Sequence, residues 1–339
     1  MEPFYKLLRN GLIILVLLFV TDRALGALIE HFFFNEKQGD SAVTTHGILD
    51  ANEDILIFGN SRASHHYIPE LITEKTGLSC YNLGRDGMKM LYYETLLKSV
   101  LSYHTPKVVI LDLNLNDFEY QHQEEQKLTA VLMPYINKNK EISELIYTQS
   151  KMEFSLAHIS TLYRVNSLPM SIVQHHLEIG QKHFSGYEPL SGNMPQSATV
   201  QHIDNANYKE SKDQLTAFEN FVKATKSKNI KLHVLVSPGM KIHKHNALKT
   251  ADRILSKYDL KCYNYSELFN AGANKLFYDV GHLNEIGAKA FTDSVIVDHL
   301  TEIPASRNQL ACSILLAAET KNNLAGSVLR YYNTEKNRY

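Results

Sequence analysis

The sequence lacks the features that mark several common classes of protein. Its 339 residues contain no tryptophan and only three cysteines, Cys80, Cys262 and Cys312. None of the three lies in a C-x-x-C pair, so neither a structural zinc site nor a disulfide framework is indicated. The formal net charge is −1. Because there is no excess of basic residues, we expect no nucleic acid among its partners.

The sequence also lacks a ligand pattern that is typical of a metal site. It has 16 histidines, including neighbours at 65–66, 175–176 and 243–245, but no carboxylate or cysteine completes a matched ligand set. We therefore expect no metal and no other cofactor. With 44% hydrophobic and 21% charged residues, the composition suits one large α/β domain with insertions, or two smaller domains.

The longest apolar stretch lies near the N-terminus. Lys6 and Arg9 precede the run GLIILVLLFV at residues 11–20, which is followed by Asp22 and Arg23 before apolar character resumes. One interpretation is a signal peptide that is cleaved near residues 24–26. A second is an uncleaved signal anchor, and a third is an amphipathic helix packed on a soluble domain.

We favour the anchor, because Asp22 and Arg23 stand where a cleavage region is usually neutral. The basic residues before the run predict that the N-terminus is cytoplasmic and that the rest of the chain is extracytoplasmic, either periplasmic or at the cell surface. A secreted form would result if the segment were cleaved. The membrane is thus an expected partner, through the N-terminal helix.

Apolar runs predict the strands of the main domain. Runs at residues 55–59, 108–115 and 230–237 are almost continuously hydrophobic, which is typical of parallel strands buried on both faces. Shorter runs at 78–83 and 261–265 complete five strands. Helical patterns occupy 89–103, 211–228, 247–258 and 285–300.

This alternation predicts a doubly wound, mostly parallel five-stranded sheet in a three-layer α/β/α fold, with ligands at the carboxyl ends of the strands. The predicted organisation runs in chain order as follows: a membrane helix at 1–30, a polar linker at 31–53, the α/β domain at 54–304 with a mainly helical insertion at 118–207, and a C-terminal helix with a polar tail at 305–339.

The first strand leads directly into Gly59-Asn60-Ser61. In one interpretation Ser61 only caps the next helix, because serine is a favoured N-cap residue. In the other, Ser61 is a nucleophile, since the small residues before it allow a sharp turn that exposes the hydroxyl. The motif alone leaves both interpretations open.

A second motif, Asp279-x-x-His282, precedes a helical pattern that begins near Asn284. A carboxylate at this spacing can bind the Nδ1–H of the imidazole, so that Nε2 can accept a proton from a serine. In the alternative, Asp279 and Asn284 only cap a helix and His282 is a surface residue.

Two further places lie where predicted strands end. Tyr81–Met88 contains Gly84 and Gly87, whose N–H groups could face an oxyanion, and Leu111–Phe118 contains Asn114 and Asn116. These are the positions at which a parallel sheet presents groups for chemistry.

These four places, in this order, resemble the four blocks of the SGNH hydrolase superfamily, the GDSL-like esterases and acyltransferases. The resemblance covers about residues 54–300 and implies an SGNH, flavodoxin-like fold. It implies that Ser61 is the nucleophile and that Asp279 and His282 complete a triad. It also implies that Gly87 and Asn116 are oxyanion donors beside the Ser61 N–H, with Gly84 and Asn114 as competitors.

The chain departs from the usual pattern in two blocks. The first block reads GNSRA rather than GDSL, which is similar to membrane-anchored branches such as alginate O-acetyltransferases and the protein that helps to transfer D-alanine to teichoic acids. The third block has Asn114 where the family has a glycine. Because Ala63 replaces the last glycine of G-x-S-x-G, an α/β-hydrolase nucleophile elbow does not fit.

The resemblance and the N-terminal segment together predict a serine-dependent esterase or O-acyltransferase that acts through an acyl-enzyme on a cell-envelope polysaccharide or glycan. Arg62, Arg85 and His65 flank the predicted pocket and are candidates for substrate binding. Two alternatives stay open. One is a lipid or small-ester hydrolase, and the other is a catalytically silent glycan-binding or assembly protein on the same fold.

Overall fold

A computed structural model describes residues 2–121, 124–168, 172–173, 184–195, 199–203, 208–243, 246–269 and 273–300. The predicted C-terminal helix and polar tail at 305–339 lie outside these residues, as do Cys312 and the histidines at 175, 176 and 245. The chain divides into two compact units. One contains residues 1–51, 95–104 and 121–181, and the other contains 52–94, 105–120 and 182–339.

The α-helices with both ends in the described part of the chain are α1 (Glu2–Phe34), α2 (Gly39–Leu49), α3 (Ser61–His66), α4 (Pro69–Thr76), α5 (Met90–Leu101), α6 (Glu124–Leu132), α7 (Lys140–Gln149), α8 (Lys151–Ile159), α9 (Thr161–Arg164), α10 (Lys212–Ser227), α11 (Ala247–Leu255) and α12 (Glu285–Val295). Short 3₁₀ helices lie at Met133–Tyr135, Ser256–Tyr258 and Asn274–Leu276, and a π-helical turn at Ile296–Leu300. The strands are β1 (Ile55–Phe58), β2 (Cys80–Asn82), β3 (Val108–Asp112), β4 (Gln201–Ile203), β5 (Lys231–Val236), β6 (Lys241–His243) and β7 (Cys262–Asn264).

Five of the strands form one parallel sheet in the order β2-β1-β3-β5-β7. The predicted α/β fold with a five-stranded parallel sheet is therefore confirmed. The register pairs Ile57 of β1 with Asn82 of β2 and with Ile110 of β3, and it pairs Asp112 with Leu235 of β5. Since neighbouring parallel strands point the same way, the loops after β1, β2, β3 and β5 meet at one edge of the sheet.

The central strands are buried on both faces, as their continuous apolar runs predict. Every residue of β1 and β3 is buried. On one face, Ile57 belongs to a core cluster that includes Leu71 of α4 and Phe291 of α12. On the other face, Phe58 packs edge to face on Phe221 of α10, with ring centroids 5.4 Å apart. Helices thus cover both faces of the sheet in three layers.

A second, two-stranded parallel sheet pairs β4 with β6. β4 lies inside the segment 118–207 that the sequence predicts to be mainly helical, so this insertion also contains a strand. α6 to α9 and the 3₁₀ helix at Met133–Tyr135 lie in the same segment. A strand of three residues is too short for hydrophobic periodicity to indicate it.

The first of the two compact units, which contains residues 1–51, is helical where the sequence predicts a polar linker at residues 31–53. Residues 31–34 continue α1, and α2 follows with Val43, Thr44 and Ile48 buried. The threonines are buried because their hydroxyls have partners: Thr44 bonds to the carbonyl of Asp40 at 2.8 Å, and Thr45 bonds to the Tyr135 hydroxyl at 2.7 Å. Polar side chains whose hydrogen bonds are satisfied in this way can be buried in the interior of a protein.

α1 is long and apolar enough to cross a membrane, by length and composition. Its apolar side chains from Phe4 to Val20 are exposed in the folded chain. The prediction of an N-terminal apolar helix is confirmed to this extent, and the helix fits either a membrane anchor or a signal sequence.

Candidate active site

A sharp turn after β1 carries Ser61. At Gly59 the backbone φ is 155°, and a Cβ there would lie 2.7 Å from the Ala63 Cβ and 2.8 Å from the Asp112 carbonyl oxygen. Only glycine fits this position without a shift of its neighbours. The N-cap residue of α3 is Asn60, whose side-chain oxygen accepts a hydrogen bond from the backbone N–H of Arg62 at 3.0 Å. Ser61 is the first helical residue, so the interpretation that it caps the helix is wrong.

The structure brings Ser61, His282 and Asp279 together in one chain of hydrogen bonds. Ser61 Oγ lies 2.8 Å from His282 Nε2, and His282 Nδ1 lies 3.0 Å from both carboxylate oxygens of Asp279. The side chain of His282 is 26% exposed. The imidazole is therefore accessible from solvent while the ring stays bonded to both partners.

Asp279 also organises the backbone of its own turn. Its Oδ1 accepts hydrogen bonds from the Gly281 N–H at 2.7 Å and from the His282 N–H at 2.9 Å. Partial burial works to raise the pKa of the Asp279 carboxyl, but the hydrogen bonds from the His282 ring and the two amides outweigh it and hold the pKa below its ordinary value. The ionised carboxylate favours the tautomer with the proton on His282 Nδ1, which leaves Nε2 to accept the Ser61 proton.

The loop after β2 contains both glycines considered as oxyanion donors. Gly84 is buried, and a Cβ there would lie 2.5 Å from the Ser64 nitrogen, so this glycine lets the loop pack against α3. Its N–H already donates to Asn82 Oδ1 at 2.9 Å. Gly87 is exposed, with φ of 65°. The amide of Gly84 is thus committed to the turn, and the oxyanion role of Gly87 stays a prediction.

Asn114 and Asn116 are half-buried and belong to one tight turn after β3. The side-chain oxygen of Asn114 accepts from the Asn116 N–H at 3.0 Å, and the Asn114 N–H donates to Asp117 Oδ2 at 3.0 Å. Asp117 Oδ1 accepts from the side-chain amide of Asn60 at 3.3 Å. Asn114 therefore shapes the backbone that presents Asn116, and Asp117 ties this turn to the residue before Ser61.

The three predicted substrate-binding residues have different surroundings. Arg62 is half-buried, and its Nε donates to Ser237 Oγ at 3.1 Å, which is a structural contact. His65 is buried, with its ring edge to face on that of His282 and the ring centroids 5.3 Å apart. Arg85 is half-buried, and its backbone N–H donates to the Gly59 carbonyl at 3.0 Å.

One group in the described part of the chain has the composition of a metal site. Ligand atoms of His65, Asp86 and Glu188 all lie within 4.8 Å of one another. Imidazole and carboxylate are ligands that zinc accepts. These residues also have partners within the protein: His65 Nδ1 lies 2.7 Å from the Glu188 backbone carbonyl, and Asp86 accepts from the Ser64 hydroxyl at 3.0 Å.

Asn284 holds the turn that carries His282. Its side-chain oxygen caps α12 by accepting from the N–H groups of Ile286 and Gly287 at 3.1 and 3.0 Å. Its side-chain nitrogen donates to the carbonyl oxygens of Gly192 and Lys275 at 2.8 and 2.7 Å. The predicted helix cap is thus present, and the same side chain also joins the segment around residue 192 to the His282 turn.

Ser237, which was not predicted from the sequence, contacts Arg62, the residue after Ser61. It is buried directly after β5, and its N–H donates to Asp112 Oδ1 at 2.9 Å. The available signal was its position, because a polar residue ends a buried parallel strand there.

Comparison with known proteins gives little beyond this geometry. No family model matches the chain, and no curated protein sequence matches it. Among solved structures, it is similar to one provisionally described as a platelet activating factor from Streptococcus pneumonia. The TM-score is 0.39 and the identity 11%, over 85% of this chain and 97% of the other. A likeness at this level carries no argument about function.

Proposed function

We propose that this protein is a serine-dependent esterase or O-acyltransferase of the SGNH type. The observation that carries the proposal is the chain of hydrogen bonds from Ser61 Oγ through His282 to Asp279 at the carboxyl edge of the parallel sheet. A serine, a base and a group that orients the base are the parts required to activate a hydroxyl nucleophile.

In this mechanism Ser61 attacks the carbonyl carbon of an ester while His282 Nε2 takes the hydroxyl proton. The resulting oxyanion accepts hydrogen bonds from the Ser61 N–H, the Gly87 N–H and the Asn116 side-chain amide. The intermediate collapses to an acyl-enzyme, and His282 returns the proton to the departing alcohol. Water then releases a carboxylic acid, or a sugar hydroxyl takes the acyl group, in each case with His282 as the base.

The contacts of α1 support an anchor that is not cleaved. Directly after the apolar run, the Asp22 carboxylate accepts from the Thr161 N–H at 2.8 Å, the Leu162 N–H at 3.2 Å and the Ser160 hydroxyl. Arg23 donates to the Thr161 hydroxyl and the Ile159 carbonyl, each at 2.7 Å. Cleavage near residues 24–26 would remove both charged residues from the start of α9.

We place the catalytic domain outside the cytoplasm, because Lys6 and Arg9 precede the apolar run. An anchored domain on that side lies beside the cell-envelope glycans, and this is the ground on which we propose a polysaccharide or glycan as the substrate. Lipids and small esters are the alternative substrates.

We expect the mature protein to retain residues 1–23. Intact-mass measurement of the chain extracted from membranes should give the full-length mass, because the side chains of Asp22 and Arg23 are bound at the start of α9. An N-terminus at residue 25, 26 or 27 would contradict the anchor. The sequence before that point would then be a signal peptide.

The function is tested with the full chain in detergent, p-nitrophenyl acetate as acetyl donor, and candidate envelope glycans as acceptors. Free acetate and the mass of the glycan are followed together, with Ser61→Ala as control. An acetylated glycan identifies an acyltransferase, and acetate alone identifies an esterase. If the same chain cleaves phospholipid that is added without any sugar acceptor, it is a lipid hydrolase. Absence of both turnover and fluorophosphonate labelling of Ser61 would contradict the enzyme proposal.

Asn116→Ala is expected to lower kcat by about 100-fold, on the order of 3 kcal/mol, with KM nearly unchanged, because the bond to the oxyanion forms mainly in the transition state. The matched control is Asn114→Ser, whose hydroxyl can still accept from the Asn116 N–H and keep the turn. We expect this control to lose less than about tenfold. Steady-state hydrolysis of p-nitrophenyl acetate measures both.

The reverse pattern would show that Asn114 is the donor. In that case the assignment of the third block would be displaced by two residues, while the roles of Ser61 and His282 would be unaffected.

A further inference from the structure

A second chain of hydrogen bonds lies directly behind the proposed triad and is centred on His66. This residue is the last of α3, five positions after Ser61, and its side chain is fully buried. One ring nitrogen, Nε2, lies 3.0 Å from the backbone nitrogen of Leu283, the residue after His282. The other, Nδ1, lies 2.9 Å from Ser237 Oγ.

The chemistry of these contacts fixes the protonation of the His66 ring. A backbone N–H only donates, so Nε2 must accept from Leu283 and the single ring proton lies on Nδ1. Nδ1–H then donates to Ser237 Oγ, and the Ser237 hydroxyl donates its own proton to Asp112 Oδ2 at 2.9 Å. The direction of every bond in the chain follows from the Leu283 amide.

The surroundings of His66 agree with a neutral ring. Burial, and next the positive charge of Arg62, hold the pKa of His66 well below its ordinary value. Arg62 Nε donates to the same Ser237 oxygen at 3.1 Å, and the Tyr67 hydroxyl donates to Asp112 Oδ1 at 3.1 Å. Ser237 therefore accepts two hydrogen bonds and donates one, which uses its whole capacity.

We propose that His66 is a positioning residue that holds His282 within reach of Ser61 by fixing the Leu283 amide. This inference rests on the proposed function of the triad. Since Ser61 and His66 are the first and last residues of the same short helix, α3 sets both the place of the nucleophile and the place of the backbone that carries the base. The rings of His66 and His282 also contact each other edge to face, with centroids 6.2 Å apart.

The competing explanation is that His66 only fills space in the core. Two substitutions of similar polarity separate the explanations. In His66→Gln, the longer side chain can present its carbonyl oxygen near the place of Nε2 and still accept from Leu283. In His66→Asn, the shorter side chain can present its NH₂ near the place of Nδ1, so it preserves the bond to Ser237 but not the bond to Leu283.

The experiment uses the full chain in detergent and measures the rate of Ser61 labelling by a fluorophosphonate, together with kcat and KM for p-nitrophenyl acetate. We expect His66→Asn and His66→Leu to slow labelling and lower kcat by at least about tenfold with KM within about twofold. His66→Gln is expected to stay within about threefold of the wild type. Thermal unfolding of each variant reports its folding.

A control replaces another buried histidine of the same unit. His233 lies in β5, and its ring packs against that of His299 with centroids 4.9 Å apart. His233→Leu should leave the labelling rate unchanged. The proposal is overturned if His66→Gln and His66→Asn lose activity equally, or if the losses of all three His66 variants follow their losses of thermal stability.

A wild-type chain that is not labelled would argue against the proposed function but would not decide the role of His66. In that case the ring ¹⁵N signals of His282 test the inference directly. We expect His66→Asn, but not His66→Gln, to move the His282 Nε2 signal towards that of a free imidazole, because the hydrogen bond to Ser61 is lost. An unchanged signal in His66→Asn would overturn the inference.

Discussion

Ser61→Ala is expected to reduce hydrolysis of p-nitrophenyl acetate by on the order of 10⁴-fold or more and to abolish fluorophosphonate labelling. Without Oγ there is no atom to form the acyl-enzyme, and His282 has no proton to accept. The cost is large because serine, histidine and aspartate act as one unit, so removing the nucleophile disables the unit. Steady-state rates and intact mass after labelling measure the two effects.

Ser79→Ala is the matched control for this substitution. Ser79 is exposed and lies just before β2, at the opposite edge of the sheet from Ser61, and its hydroxyl accepts from the Asp54 N–H at 2.9 Å. We expect it to retain full activity. If Ser61→Ala also retained activity, Ser61 would not be the nucleophile, and turnover would have to come from another site.

Asp279→Asn is expected to lower kcat by about 10⁴-fold while the fold and KM change little. The asparagine amide can donate to His282 Nδ1, which would move the ring proton to Nε2, the nitrogen that has to accept from Ser61. The comparison is kcat of the variant and the wild type on p-nitrophenyl acetate from pH 5 to 8. Thermal unfolding serves as the control for folding.

The direction of the pKa shift of Asp279 determines how the loss of kcat in Asp279→Asn depends on pH. Because the pKa of Asp279 lies below its ordinary value, the wild-type carboxylate is ionised across the whole of this range. The ratio of variant to wild-type kcat should therefore not recover towards pH 5. A ratio near one at any pH in the range would show that Asp279 does not set the tautomer of His282.

The parts that could be predicted from the sequence are those that local patterns encode. The runs that became β1 and β3 are continuously apolar because both faces of these strands are covered, and covered strands carry no alternating polar residues. Asp279 and His282 are three residues apart, so their contact needs only one turn of the chain. Ser61 could be located as a candidate by its place at the end of β1.

The parts that could not be predicted depend on contacts between distant segments. In the sequence, the threonines of α2 have the composition of a polar linker. In the fold, Thr45 is buried because it bonds to the Tyr135 hydroxyl, 90 positions later in the chain. Ser237 belongs to the site because β5 lies beside β3 in the sheet. Strand order is a property of the whole topology, and no single apolar run contains it.

The contacts of Asp22 and Arg23 with the start of α9 have a consequence for the thickness of the bilayer that would surround α1. From Phe4 to Val20, a segment that includes Lys6 and Arg9 near its start, the helix is about 25 Å long at a rise of 1.5 Å per residue, whereas the hydrocarbon core of a typical bilayer is about 30 Å thick. Since Asp22 and Arg23 are held by the protein, the helix cannot slide to draw further residues into the lipid. If α1 spans a bilayer as we propose, the shortfall is met by thinning of the lipid around the helix or by snorkelling of Lys6 and Arg9 towards the headgroups, and this hydrophobic mismatch favours the thinner membranes of a cell.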